Sequence, residues 1–101
     1  MKNHRSLEVS ASAGRVLAGY LTFGRAPGDK SARTTRPAPG LVVDYSADDR
    51  PIGLEITAPS VVTLEAINRV LAALGQPLAT ADELAPLIAT RGGAAAVGAP
   101  A

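Results

Sequence analysis

The sequence predicts an α+β fold, an antiparallel β-meander of about five strands packed on one main C-terminal helix, with a second short helix. Hydrophobic and polar residues alternate between residues 7 and 57, as in strands that bury one face. After residue 58 the hydrophobic period lengthens to that of an amphipathic helix. We therefore expect a single domain over residues 7–90, between a flexible N-terminal arm (1–6) and a flexible Gly/Ala/Pro tail (91–101).

The first two predicted strands form a hairpin around the turn Ala13-Gly14. Apolar positions of the first strand are Leu7, Val9 and Ala11. The second strand (15–23) has two apolar rows, one of Leu17, Gly19, Leu21 and Phe23 and the other of Val16, Ala18 and Tyr20. We assign the first row to the core. The second row is then an exposed apolar surface, and Val16, Ala18 and Tyr20 are a candidate interface with Tyr20 as its anchor.

A loop rich in Gly, Pro and Asp (24–31) leads to a short polar strand at 32–36, whose arginines are typical of a protected sheet edge. The central hairpin follows at 41–57, with its turn at 46–49. Apolar residues alternate in both of its arms, at Leu41, Val43 and Tyr45 and at Ile52, Leu54 and Ile56. If Tyr45 lies opposite Arg50, then Leu41 faces Leu54 and both apolar rows fall on one side of the sheet.

The hairpin also carries a family resemblance. Val43-Asp44-Tyr45, an acidic turn and Ile52-Gly53-Leu54-Glu55-Ile56 resemble the signature of a small bacterial family known as domain of unknown function number twenty-two eighty-three. The similarity extends weakly upstream to Leu7 and fades after Ser60, and Ser46, Asp49 and Pro51 depart from the family pattern. The resemblance implies a fold, with structural roles for the motif residues Asp44, Tyr45, Gly53 and Glu55. It implies no activity, because the family has no agreed one.

In the C-terminal part, Ser60 is the predicted N-cap of a helix that runs to about Leu74 and ends at Gly75. Glu65 and Arg69 have the spacing of an ion pair on its solvent side. A second helix is predicted over 81–88, because Thr80 and Glu83 form a capping-box pattern. Its apolar side would consist of Leu84, Leu87 and Ile88, with a kink at Pro86. This helix could instead fold over the outer row of the second strand and leave a monomer.

Composition excludes several classes of protein. The chain has no cysteine, which excludes disulfides and thiolate chemistry and fits a cytoplasmic location. Neither a signal-peptide pattern at the start nor an apolar run of membrane-spanning length is present. Charge is uneven, since residues 1–39 carry seven Lys or Arg against two acids, a balance of +5, and the remainder has a balance of −4. Such a distribution can steer association with a charged partner.

We predict no catalytic, cofactor-binding or metal-binding residue. His4 has no second histidine or cysteine with which to hold a metal. Asp44 and Glu55 share one face of the hairpin, but the predicted register separates them by roughly 13 Å, more than paired acid/base carboxylates tolerate. The acidic turn at Asp48 and Asp49 lacks the ligand spacing of a calcium loop, so its aspartates are interpreted as turn formers.

These observations favour a protein-interaction or oligomerisation module over an enzyme. Its partner would be a second copy of the chain or a small protein. One setting for the second case is a two-component bacterial operon in which the chain is the inhibitory half. The alternative is a nucleic-acid-binding protein that uses the basic N-terminal third. Against this alternative, only three residues are aromatic, and no helix-turn-helix with basic recognition residues is evident.

Overall fold

A computed structural model describes residues 5–24 and 26–87. Its elements are β1 (Ser6–Ser12), β2 (Arg15–Thr22), β3 (Arg33–Ala38), β4 (Leu41–Tyr45), β5 (Pro51–Ile56) and α1 (Leu64–Ala73). A short second helix begins at residue 85, after turns at 81–84. The predicted fold class is therefore confirmed. The predictions for His4, Ile88 and the tail at 91–101 lie outside the described residues.

The five strands form one antiparallel sheet in the order β1-β2-β5-β4-β3. A hairpin (β1-β2) and a meander (β3-β4-β5) are joined side by side through the pairing of β2 with β5. The connection at 23–32 consequently runs from β2 past two strands to β3. β5 lies in the centre of the sheet, and β1 and β3 are its edges.

The register of the central hairpin differs from the predicted one by two residues. Leu41 lies opposite Ile56, and Val43 lies opposite Leu54. One residue of the difference arises in the turn. Ser46 N–H donates a hydrogen bond to Arg50 O at 2.9 Å, so the loop has three residues instead of the predicted four. Its last residue, Asp49, has a left-handed backbone conformation. The other residue of the difference arises at a bulge between the Asp44 and Tyr45 pairs. Because the two shifts add to two residues, Leu41 and Val43 still share the core face with Leu54 and Ile56, and Leu54 is fully buried. Ile52, the extra residue of the bulge, is buried but lies outside this core cluster.

A second bulge corrects the prediction for β2. Ser10 pairs with Ala18 but Ala11 pairs with Val16, so Leu17 is the extra residue. The strand therefore changes faces at this point. Val16 packs against the core, while Leu17, which was assigned to the core, is 52% exposed. The predicted apolar row of Val16, Ala18 and Tyr20 does not exist as one surface.

α1 begins later than predicted. Its N-cap is Thr63, whose side chain accepts a hydrogen bond from Ala66 N–H at 3.0 Å, whereas Ser60 lies in the preceding turn. The helix ends as predicted, with Gly75 in the left-handed conformation at φ 72°. Gln76 N–H bonds Leu71 O at 2.9 Å, which completes a Schellman motif. The buried face of α1, formed by Ile67, Val70 and Leu71, covers the side of the sheet that we call the core face.

The segment 80–87 packs on the core face beside α1. Thr80 Oγ1 accepts a hydrogen bond from Glu83 N–H at 3.1 Å, as the capping-box pattern predicts. Leu84 and Leu87 are buried in the same cluster as the α1 stripe. A Cβ added to Gly19 on β2 would lie 2.8 Å from Leu87 Cδ1, so this glycine makes room for the segment. The alternative in which the segment folds over the opposite, outer face of the sheet is therefore wrong.

Candidate functional site

The outer face of the sheet centres on Tyr20. Tyr20 pairs with Glu8 on β1 and with Glu55 on β5, so it lies between two carboxylates. Its hydroxyl donates a hydrogen bond to Asp44 Oδ2 at 2.7 Å. To reach Asp44 on β4, the ring crosses Gly53 on β5, where a Cβ would overlap the ring and the hydroxyl. The resembled motif thus supplies both the glycine that admits Tyr20 and the acid that binds it.

The two carboxylates considered for acid/base chemistry are closer together than predicted. Asp44 lies opposite Gly53 and Val42 lies opposite Glu55, which makes Asp44 and Glu55 diagonal neighbours about 7–8 Å apart. The predicted separation of 13 Å was wrong because it used the wrong register. Asp44 is engaged by the Tyr20 hydroxyl, so its contacts support the structural role that the resemblance implies.

Only part of the candidate interface lies on this face. Ala18 and Tyr20 are on it, whereas Val16 is on the core face. Polar residues surround the pair, because Ser6, Glu8 and Ser10 of β1 face the same side and are exposed. The outer face around Ala18 and Tyr20 thus carries polar and acidic residues on the β1 side. Whether it binds a partner stays a prediction.

An apolar groove opens on the core face, between α1 and edge strand β3. It has a volume of about 420 Å³. Its strand side is lined by Thr35, Pro37, Ala38, Val43 and Tyr45, and its helix side by Ala66, Arg69, Val70, Ala73 and Leu74. We call it the α1–β3 groove. The sequence analysis did not predict it. The small side chains of Ala66 and Ala73 on its helix side are visible in the sequence, but they do not by themselves indicate a groove.

Two arginines border the α1–β3 groove. Arg69 lines it, and within the described residues its predicted ion pair with Glu65 is not formed. Arg33 stacks on the ring of Tyr45, with its guanidinium carbon 4.0 Å from the ring centre. Arg33 also binds Asp49 at 2.9 Å, in an ion pair that is largely exposed on both sides. Among the described lining residues there is no acid.

The acidic turn of the central hairpin is tied to the loop between β2 and β3. Arg50 binds Asp48 at 2.9 Å and Asp29 at 2.8 Å. The hydrogen bond from Arg50, with a second from Ser46 Oγ, lowers the pKa of Asp48 to about 2. Arg50 likewise lowers the pKa of Asp29. Within residues 5–24 and 26–87, no group of three or more acidic or histidine side chains could hold a metal ion, so an arginine is the cation that the turn holds.

Comparisons with known proteins give no assignment. The chain matches no protein-family model, no curated protein and no solved structure. In the described part of the chain, no helix has the length and apolar character needed to cross a membrane. The family resemblance of the central hairpin therefore stays an interpretation.

Proposed function

We propose that the protein is a protein-interaction module that binds a partner polypeptide in the α1–β3 groove. The observation that carries the proposal is the groove itself, whose volume of about 420 Å³ is within the range of ligand sites. Exposed or half-buried residues such as Pro37, Ala38 and Ala73 form its walls, so it opens to solvent. An apolar surface of this kind is where a folded protein places contacts with other molecules.

The lining chemistry favours a polypeptide over a small metabolite. Metabolite sites combine apolar walls with several convergent polar groups that fix the ligand's orientation. Here the side-chain polar groups among the lining residues belong to Thr35, Tyr45 and Arg69. Apolar side chains of a polypeptide could fill such a groove, while backbone groups supply the polar contacts. The proposal accordingly treats the chain as a binding module rather than an enzyme.

The proposal includes the two partner classes expected from the sequence, a second copy of the chain or a small separate protein. It extends to a bacterial, cytoplasmic setting, which the absence of cysteine and the family resemblance support. In that setting the groove is where an operon partner would be bound.

Nucleic-acid binding has weaker support. Part of the positive charge of the basic N-terminal third is paired with acids of the same chain, since Arg5 binds Glu83 at 2.8 Å and Arg33 binds Asp49 at 2.9 Å. Both acids lie outside that third, so the +5 balance of residues 1–39 is partly neutralised in the folded protein. Nucleic-acid binding by residues 1–39 stays a prediction.

The test uses two neighbouring alanines of α1. Ala73 lines the groove, whereas Ala72 is outside the lining residues, and both side chains are exposed. Peptides would be selected from a random peptide-display library with the purified protein, and the mass of the protein would be measured by light scattering. We expect either selected peptides or a self-associated species, and we expect Ala73→Trp to weaken that binding at least tenfold. Ala72→Trp should leave it unchanged.

Two results would overturn the proposal. One is a protein that selects no peptide and has a mass near the 10.2 kDa chain mass at all concentrations. The other is binding that Ala73→Trp does not weaken although circular dichroism shows the variant to be folded.

A further inference from the structure

We infer that the partner segment is an extended, acidic peptide that adds to the free edge of β3 and places alternate side chains in the α1–β3 groove. This inference rests on the proposed function and specifies its ligand. An extended chain that pairs with a sheet edge obtains its affinity from main-chain hydrogen bonds and its specificity from pockets for every second side chain. The α1–β3 groove lies beside such an edge.

The two edges of the described sheet differ in how the core face is covered next to them. Beside β1, the segment 80–87 is in place, with Leu87 packed near Gly19 and Leu7. Beside β3, the described residues leave the groove between the edge and α1. An added strand at β1 would meet a filled surface, whereas one at β3 would find an apolar space for its inward side chains. The asymmetry points to β3 as the edge that receives a strand.

The length of β3 limits the added strand. β3 has six residues, and its pairing with β4 is irregular between Thr35 and Ala38. Pro37 lacks a backbone N–H and cannot donate to an incoming strand. Regular strand geometry is thus available along Arg33 to Thr35. A peptide of about three to five residues matches this stretch, with about two side chains directed into the groove.

Charge complementarity identifies the peptide as acidic. Arg33 lies in the stretch that would pair, Arg36 follows it on β3, and Arg69 lines the helix side of the groove. Arg69 forms no ion pair in the described part of the chain. The pair of Arg33 with Asp49 is exposed, so a peptide carboxylate can replace Asp49 at little cost. A basic peptide would meet three like charges and be repelled.

The binding test compares two synthetic peptides of alternating sequence by fluorescence anisotropy at low salt. One alternates valine with glutamate and the other alternates valine with lysine. We expect the acidic peptide to bind at least tenfold more tightly, with an affinity that falls as salt is raised. Arg69→Gln should weaken binding of the acidic peptide about threefold to tenfold. Arg15→Gln, an equally exposed change on β2 and outside the groove, should not.

Strand addition is tested separately by methylating the peptide nitrogens one at a time. In a strand, alternate N–H groups face the protein edge. Methylation should therefore abolish binding at every second residue and be tolerated at the residues between. Equal sensitivity at all positions would overturn strand addition.

The outcomes separate this inference from the function on which it rests. If neutral or basic peptides bind as well as the acidic one and Ala73→Trp removes their binding, the proposed function is supported. The inference that the ligand is acidic is then overturned. A mass of twice 10.2 kDa that reverts to the chain mass in Ala73→Trp would show that a second copy occupies the groove, which also overturns it. If no peptide binds and the mass is that of one chain, the proposed function fails as well.

Discussion

The Tyr20 hydroxyl donates a hydrogen bond to Asp44 across two strand boundaries, over the backbone of Gly53. Three strands are thereby joined on the outer face by one side chain. Because an added Cβ at Gly53 would overlap the tyrosine ring, the bond requires a residue without a side chain at this position. This explains in physical terms why a glycine stands in the middle of a central strand, where it otherwise weakens the sheet.

Gly53→Ala should destabilise the protein through its contact with Tyr20. We expect a loss of about 1–3 kcal/mol in the free energy of unfolding, because the ring must move and the bond to Asp44 is lost. Urea unfolding measures the loss. In the Tyr20→Ala background, Gly53→Ala should cost less than about 0.5 kcal/mol. Equal costs in the two backgrounds would contradict the steric explanation.

Leu54→Ala tests the packing of the central hairpin on the helix. Leu54 is fully buried within the cluster that includes Ile67 and Leu71. Its truncation should cost about 2–5 kcal/mol in urea unfolding. The control is Leu78→Ala, at a leucine that is 59% exposed, for which a change within about 0.5 kcal/mol is expected. A cost for Leu54→Ala as small as that of the control would show that the Leu54 side of the hairpin does not face the core.

Thr63 and Ser60 provide a matched pair for the start of α1. Thr63 accepts a hydrogen bond from Ala66 N–H at 3.0 Å, so Thr63→Ala should cost about 0.5–2 kcal/mol. Ser60 lies in the preceding turn, and Ser60→Ala should change the free energy of unfolding by less than about 0.5 kcal/mol. Thermal or urea unfolding of both variants measures the difference. A larger loss of unfolding free energy for Ser60→Ala than for Thr63→Ala would show that Ser60 is the N-cap.

Acid should weaken the connection between the hairpin turn and the preceding loop. The pKa of Asp48 is about 2, below its ordinary value of 3.8, because Arg50 and Ser46 donate hydrogen bonds to its carboxylate. A depressed folded-state pKa means that the stabilisation is fully present above pH 3.8 and is lost as pH falls through 2. Carbon NMR of the Asp48 carboxyl group should show its midpoint near 2. In Arg50→Gln the midpoint should rise toward 3.8, and an unchanged midpoint would exclude Arg50 as the cause.

Periodicity predicted most of the fold because it reports which face of each element is buried. It located the strands, the end of α1 at Gly75 and the burial of Leu54. It could not place the bulge at Leu17 in β2 or the one in β5, where Ile52 lies between the residues paired with Asp44 and Tyr45. An extra residue in a strand changes the pairing without changing local composition. The candidate interface assumed regular alternation along β2. Because of the bulge at Leu17, Val16 lies on the core face and not beside Ala18 and Tyr20.

The groove depends on tertiary arrangement, which the sequence pattern does not contain. α1 packs on the core face, and its residues that line the groove include the small Ala66 and Ala73. Whether this leaves a groove depends on where β3 lies, and β3 reaches its edge position through a connection that passes two strands. Local patterns predict the elements, but they do not specify such a crossing.

Arg5 connects the start of β1 to the segment 80–87 through its guanidinium group. Its guanidinium donates to both oxygens of Glu83, at 2.8 and 2.9 Å, and to the carbonyl of Pro77 at 2.6 Å. The Arg5 side chain is only 11% exposed, and its two bonds to Glu83 are partly buried and charge-assisted. Lysine has one ammonium group and cannot reproduce this fork, so Arg5→Lys should lose most of the interaction despite its conserved charge.

We expect Arg5→Lys to destabilise this segment by about 1–3 kcal/mol while the sheet stays folded. Hydrogen exchange distinguishes local from global opening, because the amides of Leu84 and Leu87, bonded to the carbonyls of Thr80 and Leu84, should exchange faster in the variant than in the wild type. Amides of β4 and β5 should keep their protection. Arg15→Lys, at an exposed arginine of β2, is the control and should leave both regions unchanged. Unchanged exchange in the segment would show that the burial of Leu84 and Leu87 is sufficient to hold it, without the bonds from Arg5.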